Sequence, residues 1–421
     1  MEDDHKRIRR QRAIRVMITE ILMFLSVVLL VIFLTLIVLG YNFNIKKLGT
    51  EEVIERAGLI QVTSIPSGAT VSLDGEEGDL FSRTTFSKTL GVGKHTVSLT
   101  RDGYDTWTGE VEIREGLLFR LSYPRLFLEK RTREEILAIE DGTSEAKFYK
   151  GGRYLSLDGK FLDLNETKPS FKEVRASDLE DEDEAKIARR LEKIKGKFSN
   201  GVGLTLGEYL GEEYVVTAEK GVLIGEEMIL REGVTERGIE ESEGERVETE
   251  EGERLEGAKN FIKFYRDEDL INGKKKAFFE TEVEFEVREV EVRGKGELVV
   301  VRGERDGKEL EMIYDFETEK LETREVEGER WLDEFLKYKI SESGIEVFDF
   351  NGKNRREIVS VEGEREGEEV EKEEGIEAEE VETAATEIIP ELGVKISANN
   401  RYLYYFILEA GEEKLVREKI N

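Results

Sequence analysis

The chain of 421 residues has no cysteine, two histidines and four prolines. Without cysteine there is no disulfide framework, no thiolate zinc or iron–sulfur ligation and no thiol nucleophile. The histidines, His5 and His95, lie far apart, and His5 sits in a charged N-terminal tail. A histidine pair or a Ser-His-Asp triad therefore has almost no material. Basic residues are also in deficit, with 64 Lys and Arg against 95 Asp and Glu and a formal net charge of -31. Such a chain repels nucleic-acid phosphates, which argues against DNA or RNA as a partner.

One long apolar run stands out against this acidity. Met17 to Gly40 reads MITEILMFLSVVLLVIFLTLIVLG, and from Ile21 to Leu39 nothing is charged and only Ser26 and Thr35 are polar. As a helix this run predicts a transmembrane segment, since a hydrocarbon core of ~30 Å needs about 20 such residues. A buried core helix is not usually apolar on all faces for so long. Lys6, Arg7, Arg9, Arg10, Arg12 and Arg15 precede the run, and Lys46, Lys47 and then acidic residues follow it. That asymmetry predicts a cytoplasmic N-terminus. Tyr41 and Phe43 fall where interfacial aromatics sit, and Glu20 is close enough to the inner end to reach the interface. A cleavable signal peptide would have a shorter apolar core and an A-x-A-like site. The expectation is an uncleaved signal anchor, with the bulk of the chain outside the cytoplasmic membrane.

From Leu59 the hydrophobic period changes to two. In LIQVTSIPSGATVSLDG, residues Ala69, Val71 and Leu73 face one way and Thr70, Ser72 and Asp74 the other. Asp74-Gly75 is a hairpin signal because glycine supplies positive φ at no steric cost. A second unit, LGVGKHTVSLTRDGYDTWTGEVEI, alternates through His95, Val97 and Leu99 and turns at Asp102-Gly103. Together they predict a small antiparallel β domain with one apolar face. At these residues the chain resembles the PEGA domain, with Pro66-Ser67-Gly68-Ala69 in place of Pro-Glu-Gly-Ala. VSLDG (Val71–Gly75), GKHTVSL (Gly93–Leu99) and DGYDTW (Asp102–Trp107) follow in order. The Thr-Pro common between the family's hairpins is absent from SRTTFSKTL (Ser82–Leu90). The resemblance covers residues 59–129 and implies a structural or binding module of surface and envelope proteins, with no catalytic residue. GVGKHT is no phosphate-binding loop, because Lys88 occupies the required glycine position and strand residues follow. His95 reads as a strand residue rather than a ligand. Tyr104 and Trp107 read as aromatic packing rather than a sugar-stacking pair.

Residues 130–421 carry many short strand patterns separated by Gly, Asn and Asp turns, as in FYKGGRYLSLDGKFLDLN (Phe148–Asn165) and YKISESGIEVFDFNGKNRREIVS (Tyr338–Ser360). Such spacing predicts a sandwich, barrel or propeller. ISANNRYLYYF and IEVFDFNGKNRREIV are similar to propeller blade edges, and at ~40–50 residues per blade the region would hold about six or seven. SDLEDEDEAKIARRLEKIKGKF (Ser177–Phe198) predicts a helical insert, with Ser177 as N-cap, acids in the first turn and basic residues later. It is no EF-hand, since Asp183 and Arg189 stand where that loop needs Gly and Glu. GVGLTLG (Gly201–Gly207) and RGKGE (Arg293–Glu297) lack the strand-to-helix context of a nucleotide fingerprint and read as turns or bulges. The Glu-rich stretch 361–382 reads as a solvated loop, hairpin or insert.

The expected chain is therefore mainly β, with a cytoplasmic basic tail (1–16), a transmembrane helix (17–40), a linker (41–58) and a small antiparallel PEGA-like domain (59–129). A larger β domain (130–421), a degenerate β-propeller with a helical insert near 177–198, completes it. Its expected role is a membrane-anchored extracytoplasmic binding or scaffolding protein of a bacterial-type cell envelope. The partners would be the lipid bilayer, through the helix, and an envelope protein or cell-wall polymer. No catalytic residue, cofactor or metal is assigned. The competing readings are an exported carboxylate-dependent hydrolase on a propeller and a sensor coupled to a cytoplasmic partner.

Overall fold

A computed structural model describes residues 17–32, 34–35, 41–43, 54–76, 82–139, 146–175, 179, 189–191, 201–224, 227–229, 259–272, 274, 276–341, 343–360 and 386–421. The basic tail, most of the segment between the apolar run and Ile54, and the Glu-rich stretch 361–382 lie outside them. The chain divides into two compact units, Met1–Leu126 and Phe127–Asn421.

Residues 17–32 are helical, as are 34 and 35. The two polar side chains of the run turn back onto their own backbone. Ser26 Oγ donates to the Met23 carbonyl and Thr35 Oγ1 to that of Val31, each at 2.8 Å. The large apolar side chains point outward all round, from Ile18 at 48% exposed to Phe24 at 72%. Among the described residues no helix is long and apolar enough to cross a membrane. The continuous stretch 17–32 rises about 24 Å at ~1.5 Å per residue, against a core of ~30 Å.

The first unit continues with seven strands: β1 (Tyr41–Phe43), β2 (Ile54–Val62), β3 (Thr70–Leu73), β4 (Phe86–Gly91), β5 (Gly93–Thr100), β6 (Trp107–Ile113) and β7 (Leu118–Leu121). One sheet has the order β1-β2-β4, with β7 parallel on β2, and the other has the order β3-β5-β6. Their facing residues form a single core of Ile60, Val62, Val71, Leu73, Val97, Leu99, Trp107, Val111 and Ile113, among others. β1 and the start of β2 fall within residues 41–58, the stretch expected as a linker. Alternation does not show there because Gly58 takes an inward position where a Cβ would stand 2.3 Å from the Arg114 carbonyl oxygen. Asp74-Gly75 does make a turn, with positive φ at both residues, and beyond it the chain bridges back to β3 at Leu73–Glu76 and Thr70–Arg83, with the Val71 amide donating to the Ser82 carbonyl at 2.7 Å. β3 also pairs with β5, antiparallel along its full length.

The second unit opens with β8 (Arg133–Ile139) and then forms five antiparallel sheets among the described residues. The first holds β9 (Ala146–Tyr149), β10 (Tyr154–Leu157), β11 (Lys160–Asp163) and β12 (Phe171–Lys172). The second holds β13 (Gly201–Tyr209), β14 (Glu212–Ile224), β15 (Glu227–Ile229), β16 (Lys259–Arg266) and β17 (Phe279–Val283). The third holds β18 (Glu286–Arg293), β19 (Leu298–Arg305), β20 (Lys308–Asp315) and β21 (Lys320–Glu325), and the fourth β22 (Arg330–Trp331), β23 (Leu336–Ser341), β24 (Gly344–Asp349) and β25 (Arg356–Ser360). The fifth contains β26 (Thr386–Ile388), β27 (Lys395–Ile396), β28 (Tyr402–Glu409) and β29 (Glu412–Lys419), and β8 completes it beside β29. Four hairpins turn on a residue-glycine pair with positive φ at both positions: Asp158-Gly159, Leu210-Gly211, Asp306-Gly307 and Ala410-Gly411. That is the two-residue turn whose twist matches the strands it joins.

Buried clusters join the second sheet to the third, the fourth to the fifth, and the fifth to the first. The join between fifth and first is also polar. Arg417 of β29, 2% exposed, pairs with Glu134 of its own sheet at 2.6 Å and reaches across to donate to the Thr167 carbonyl at 2.7 Å, and Tyr404 donates to the Leu164 carbonyl at 2.8 Å. Five sheets are seen among the described residues, where the length alone led to an expectation of about six or seven blades. Most of residues 176–200, 225–258 and 361–385 lie outside the described residues. Of the expected insert at 177–198, Leu179 and residues 189–191 are described and helical, and Arg190 reaches Glu213 and Asp267.

Candidate functional site

The most developed polar constellation lies where the third sheet meets the fourth. Antiparallel register places Glu289 of β18 opposite Arg302 of β19, Arg302 opposite Glu311 of β20, and Glu311 opposite Arg324 of β21. The result is a ladder of alternating charge across all four strands. Directly opposed unlike charges each add a modest cross-strand stabilisation. On the other face of the same sheet, Val299, Val301, Leu310 and Met312 pack toward the second sheet.

Glu311 is the buried rung, 1% exposed. It accepts hydrogen bonds from Lys337 Nζ, from Trp331 Nε1 at 2.8 Å, and from Arg302 and Arg324 at 3.4 Å each. Trp331 and Lys337 are themselves cross-strand partners in the fourth sheet, so two registers converge on one carboxylate. Burial alone would raise the Glu311 carboxyl; Lys337, Trp331 and Arg324 outweigh it and hold the group below its ordinary value. The same burial pushes Lys337 down to about 8 against the pull of Glu311, which leaves the pair ionised at neutral pH. The Trp331 ring is held between the Arg293 guanidinium at 4.5 Å and the Lys337 ammonium at 4.7 Å. With four donors around it, Glu311 has no free lone pair with which to take a proton from a ligand. It is a fixed support for the arginines beside it.

Above this support opens a recess of about 340 Å³, lined by Arg288, Arg302, Arg330, Glu289, Glu329 and Trp331 among others. Most of its charges are already matched. Arg288 pairs with Glu304, Arg302 with Glu289 at 3.0 Å, and Glu329 with Arg355 at 3.1 Å, while Arg330 donates to the Pro390 carbonyl at 2.8 Å. Such a lining presents fixed donors and acceptors with little net field. It suits a polar ligand without large net charge, such as a glycan or peptide segment, better than a polyanion. Among the described residues no group of three or more His, Asp or Glu could hold a metal ion.

The residues singled out in the sequence fall elsewhere. His95 is a tether inside the first unit, with Nδ1 2.7 Å from Asp74 Oδ2 and Nε2 2.8 Å from the Gly91 carbonyl. Burial would raise Asp74, but His95 and the Thr96 amide lower it below the ordinary carboxylate value. Trp107 is 1% exposed and meets Tyr123 edge-on at 5.8 Å, so it cannot stack a sugar. Gly93 sits at the tight β4–β5 connection, and Gly201–Gly207 lies within β13. In RGKGE, a Cβ on Gly296 would stand 1.8 Å from the Glu208 carbonyl oxygen, so this turn is a close-packing device. Asp178 and Asp183 lie outside the described residues.

A repeat hidden in the sequence is visible once the strands are known. Leu162-Asp163-Leu164-Asn165, Tyr314-Asp315-Phe316-Glu317 and Phe348-Asp349-Phe350-Asn351 each end the third strand of a sheet. Asp163 and Asp315 accept the amide two residues on, at 3.1 and 2.9 Å, and Asp349 accepts Asn354 Nδ2 at 2.8 Å. The signal is an Asp between an apolar and an apolar-then-polar pair. Its spacing is too uneven for a fixed-period search.

No curated protein matches the chain. Among solved structures, the tricorn protease is similar at 13% identity and a TM-score of 0.21, over 74% of this chain and 23% of that one. An acylaminoacyl peptidase is similar at 12% and 0.20, over 84% and 46%. The Dos1 propeller is similar at 9% and 0.20, over 86% and 94%. The chain spans less than half the length of the first two, and TM-scores this low leave the fold to be argued from the sheets themselves. The matching family model is the PEGA domain, over residues 57–125. The core around Trp107 and the paired sheets β2-β4 and β3-β5-β6 occupy that span, and the chain therefore carries a PEGA domain at residues 57–125.

Proposed function

We propose that this chain is a single-pass, membrane-anchored binding or scaffolding protein on the outer side of the cytoplasmic membrane of a bacterial-type envelope, and that its second unit is a degenerate β-propeller recognising a protein or cell-wall polymer without bond chemistry. The carrying observation is the order along the chain: a basic tail, nineteen uncharged residues from Ile21 to Leu39, a PEGA domain, and then the sheets of the second unit. The outward apolar side chains of the 17–32 helix, with Ser26 and Thr35 satisfied by their own backbone, support a lipid surrounding. The excess of Lys and Arg before the run supports a cytoplasmic N-terminus.

The propeller reading is supported by five antiparallel sheets in chain order and by β8 pairing with β29, which joins the start of the unit to its end. Four successive sheet-to-sheet joins are accounted for by buried clusters and by the charge ladder. The recess beside Arg302 and Arg330 is the surface on which a glycan or peptide segment would lie.

Protease added to right-side-out spheroplasts tests the topology. Loss of both units with protection of the N-terminal tail supports the reading, and protection of the whole chain overturns it. A 59–421 fragment incubated with insoluble peptidoglycan and with envelope lysate tests binding. Retention on either that weakens on Arg330→Ala, with unfolding unchanged, supports the recess as the site.

A further inference from the structure

The PEGA domain carries an apolar rim at one end. Leu59, Val92, Leu117 and Leu118 are 40–55% exposed, and they are grouped by pairing. Leu59 and Leu118 are register partners in β2 and β7, the Leu59 amide donates to the Leu117 carbonyl at 2.9 Å, and the Val92 amide donates to the Arg56 carbonyl at 3.1 Å. All four residues thus lie in or directly beside residues 56–59 of β2.

The entry of the chain into this domain is at the same end. β1 runs antiparallel to β2 with Tyr41 opposite Arg56 and Phe43 opposite Ile54, so the strand enters beside the rim and runs away from it. Tyr41 is two residues beyond the last apolar residue of the run, Leu39, and six residues beyond Thr35, the last described helical residue. Six extended residues span at most about 20 Å. A domain tied this closely to the helix presents its Tyr41 end to whatever surrounds the helix. Arg56 beside the rim is exposed and pairs with Glu115 at 2.8 Å, a charge pattern that headgroups accommodate.

From this geometry we infer that the PEGA domain rests on the bilayer itself, with Leu59, Val92, Leu117 and Leu118 inserted into the headgroup–acyl boundary of the outer leaflet. This rests on the anchor reading above. The rim is then the place where the domain's orientation is set, and the opposite end, at the Asp102-Gly103 turn of the β5–β6 hairpin, faces away from the membrane.

A chain without cysteine allows single-site labelling. The full chain carrying Leu117→Cys or Asp102→Cys, each bearing an environment-sensitive fluorophore, is reconstituted into phosphatidylcholine–phosphatidylglycerol vesicles with or without spin-labelled lipid. The expected result is a blue shift and strong quenching at residue 117 and neither at residue 102, with the emission of Trp107 unchanged. Adding Leu59→Asp and Leu118→Asp to the residue-117 variant should abolish the shift. The same vesicles are washed with alkaline carbonate. Chain that resists extraction while both probes remain aqueous overturns the inference and leaves the anchor standing. Equal quenching at both probes overturns the orientation. Extraction of the chain overturns both readings.

Discussion

Glu311 and Lys337 show how a buried charge is kept in this protein. Each is 1% exposed, and each would be costly alone. Lys337→Met leaves Glu311 buried without its nearest counter-charge and is expected to destabilise the second unit by about 3–5 kcal/mol. Glu311→Leu strands Lys337 and the Trp331 Nε1 donor and should cost a similar amount. The double variant should recover part of the loss, because Arg302 still has Glu289 and Arg324 still has the Phe350 carbonyl at 2.6 Å. Urea unfolding followed by Trp331 fluorescence in a Trp107→Phe chain measures all three. Additive losses with no recovery would show that the pair does not act as a unit. None of this was legible in the sequence. With 95 acidic residues, chance proximity of carboxylates and bases is expected everywhere. The ladder exists because the Asp306-Gly307 turn sets the β19–β20 register, and a slip of one residue would turn Glu311 to the opposite face.

At the scale of elements, the first unit shows a strand shaped by its largest side chain. Trp107 folds over Gly109 of the same strand, where a Cβ would stand 2.3 Å from the indole ring. Gly109→Ala should therefore displace the ring and cost about 1–3 kcal/mol, the range for overpacking a filled core. Unfolding of a Trp331→Phe chain, in which Trp107 is the remaining reporter, checks this; a neutral result would mean that the ring moves aside freely. The alternation of β3, β5 and β6 was readable because each has one buried and one solvated face. The start of β2 was not, because Arg56 there is exposed and pairs with Glu115, and Gly58 is held against the Arg114 and Leu117 carbonyls.

At the scale of the molecule, each unit has its own buried clusters and its own tryptophan. Unfolding in urea is expected to give two transitions, one seen by Trp107 and one by Trp331. Arg417→Ala, which removes the polar join between the fifth sheet and the first, should lower only the second transition, by about 1–3 kcal/mol. Coincident transitions that shift together would show that the units unfold as one. The pairing of β8 with β29 brings Arg133 beside Glu418, which no local pattern announces. The two strands lie roughly 300 residues apart in sequence, beyond the reach of any local pattern.

By itself the sequence determined the features that local periodicity and composition impose. Those were the mainly β character, the hairpins with Gly-containing turns, the small antiparallel β domain that resembles the PEGA family, and the uncharged run from Ile21 to Leu39. These are legible because burial on one face imposes a period, and special φ angles impose a residue type, within a few positions of the chain. Only the tertiary structure decided the number of sheets among the described residues, the join of β8 to β29, the convergence on Glu311 and the end of the PEGA domain that bears the apolar rim. Each of those depends on which strand lies beside which, and pairing energy is nearly indifferent to sequence until side chains from distant strands meet on a common face.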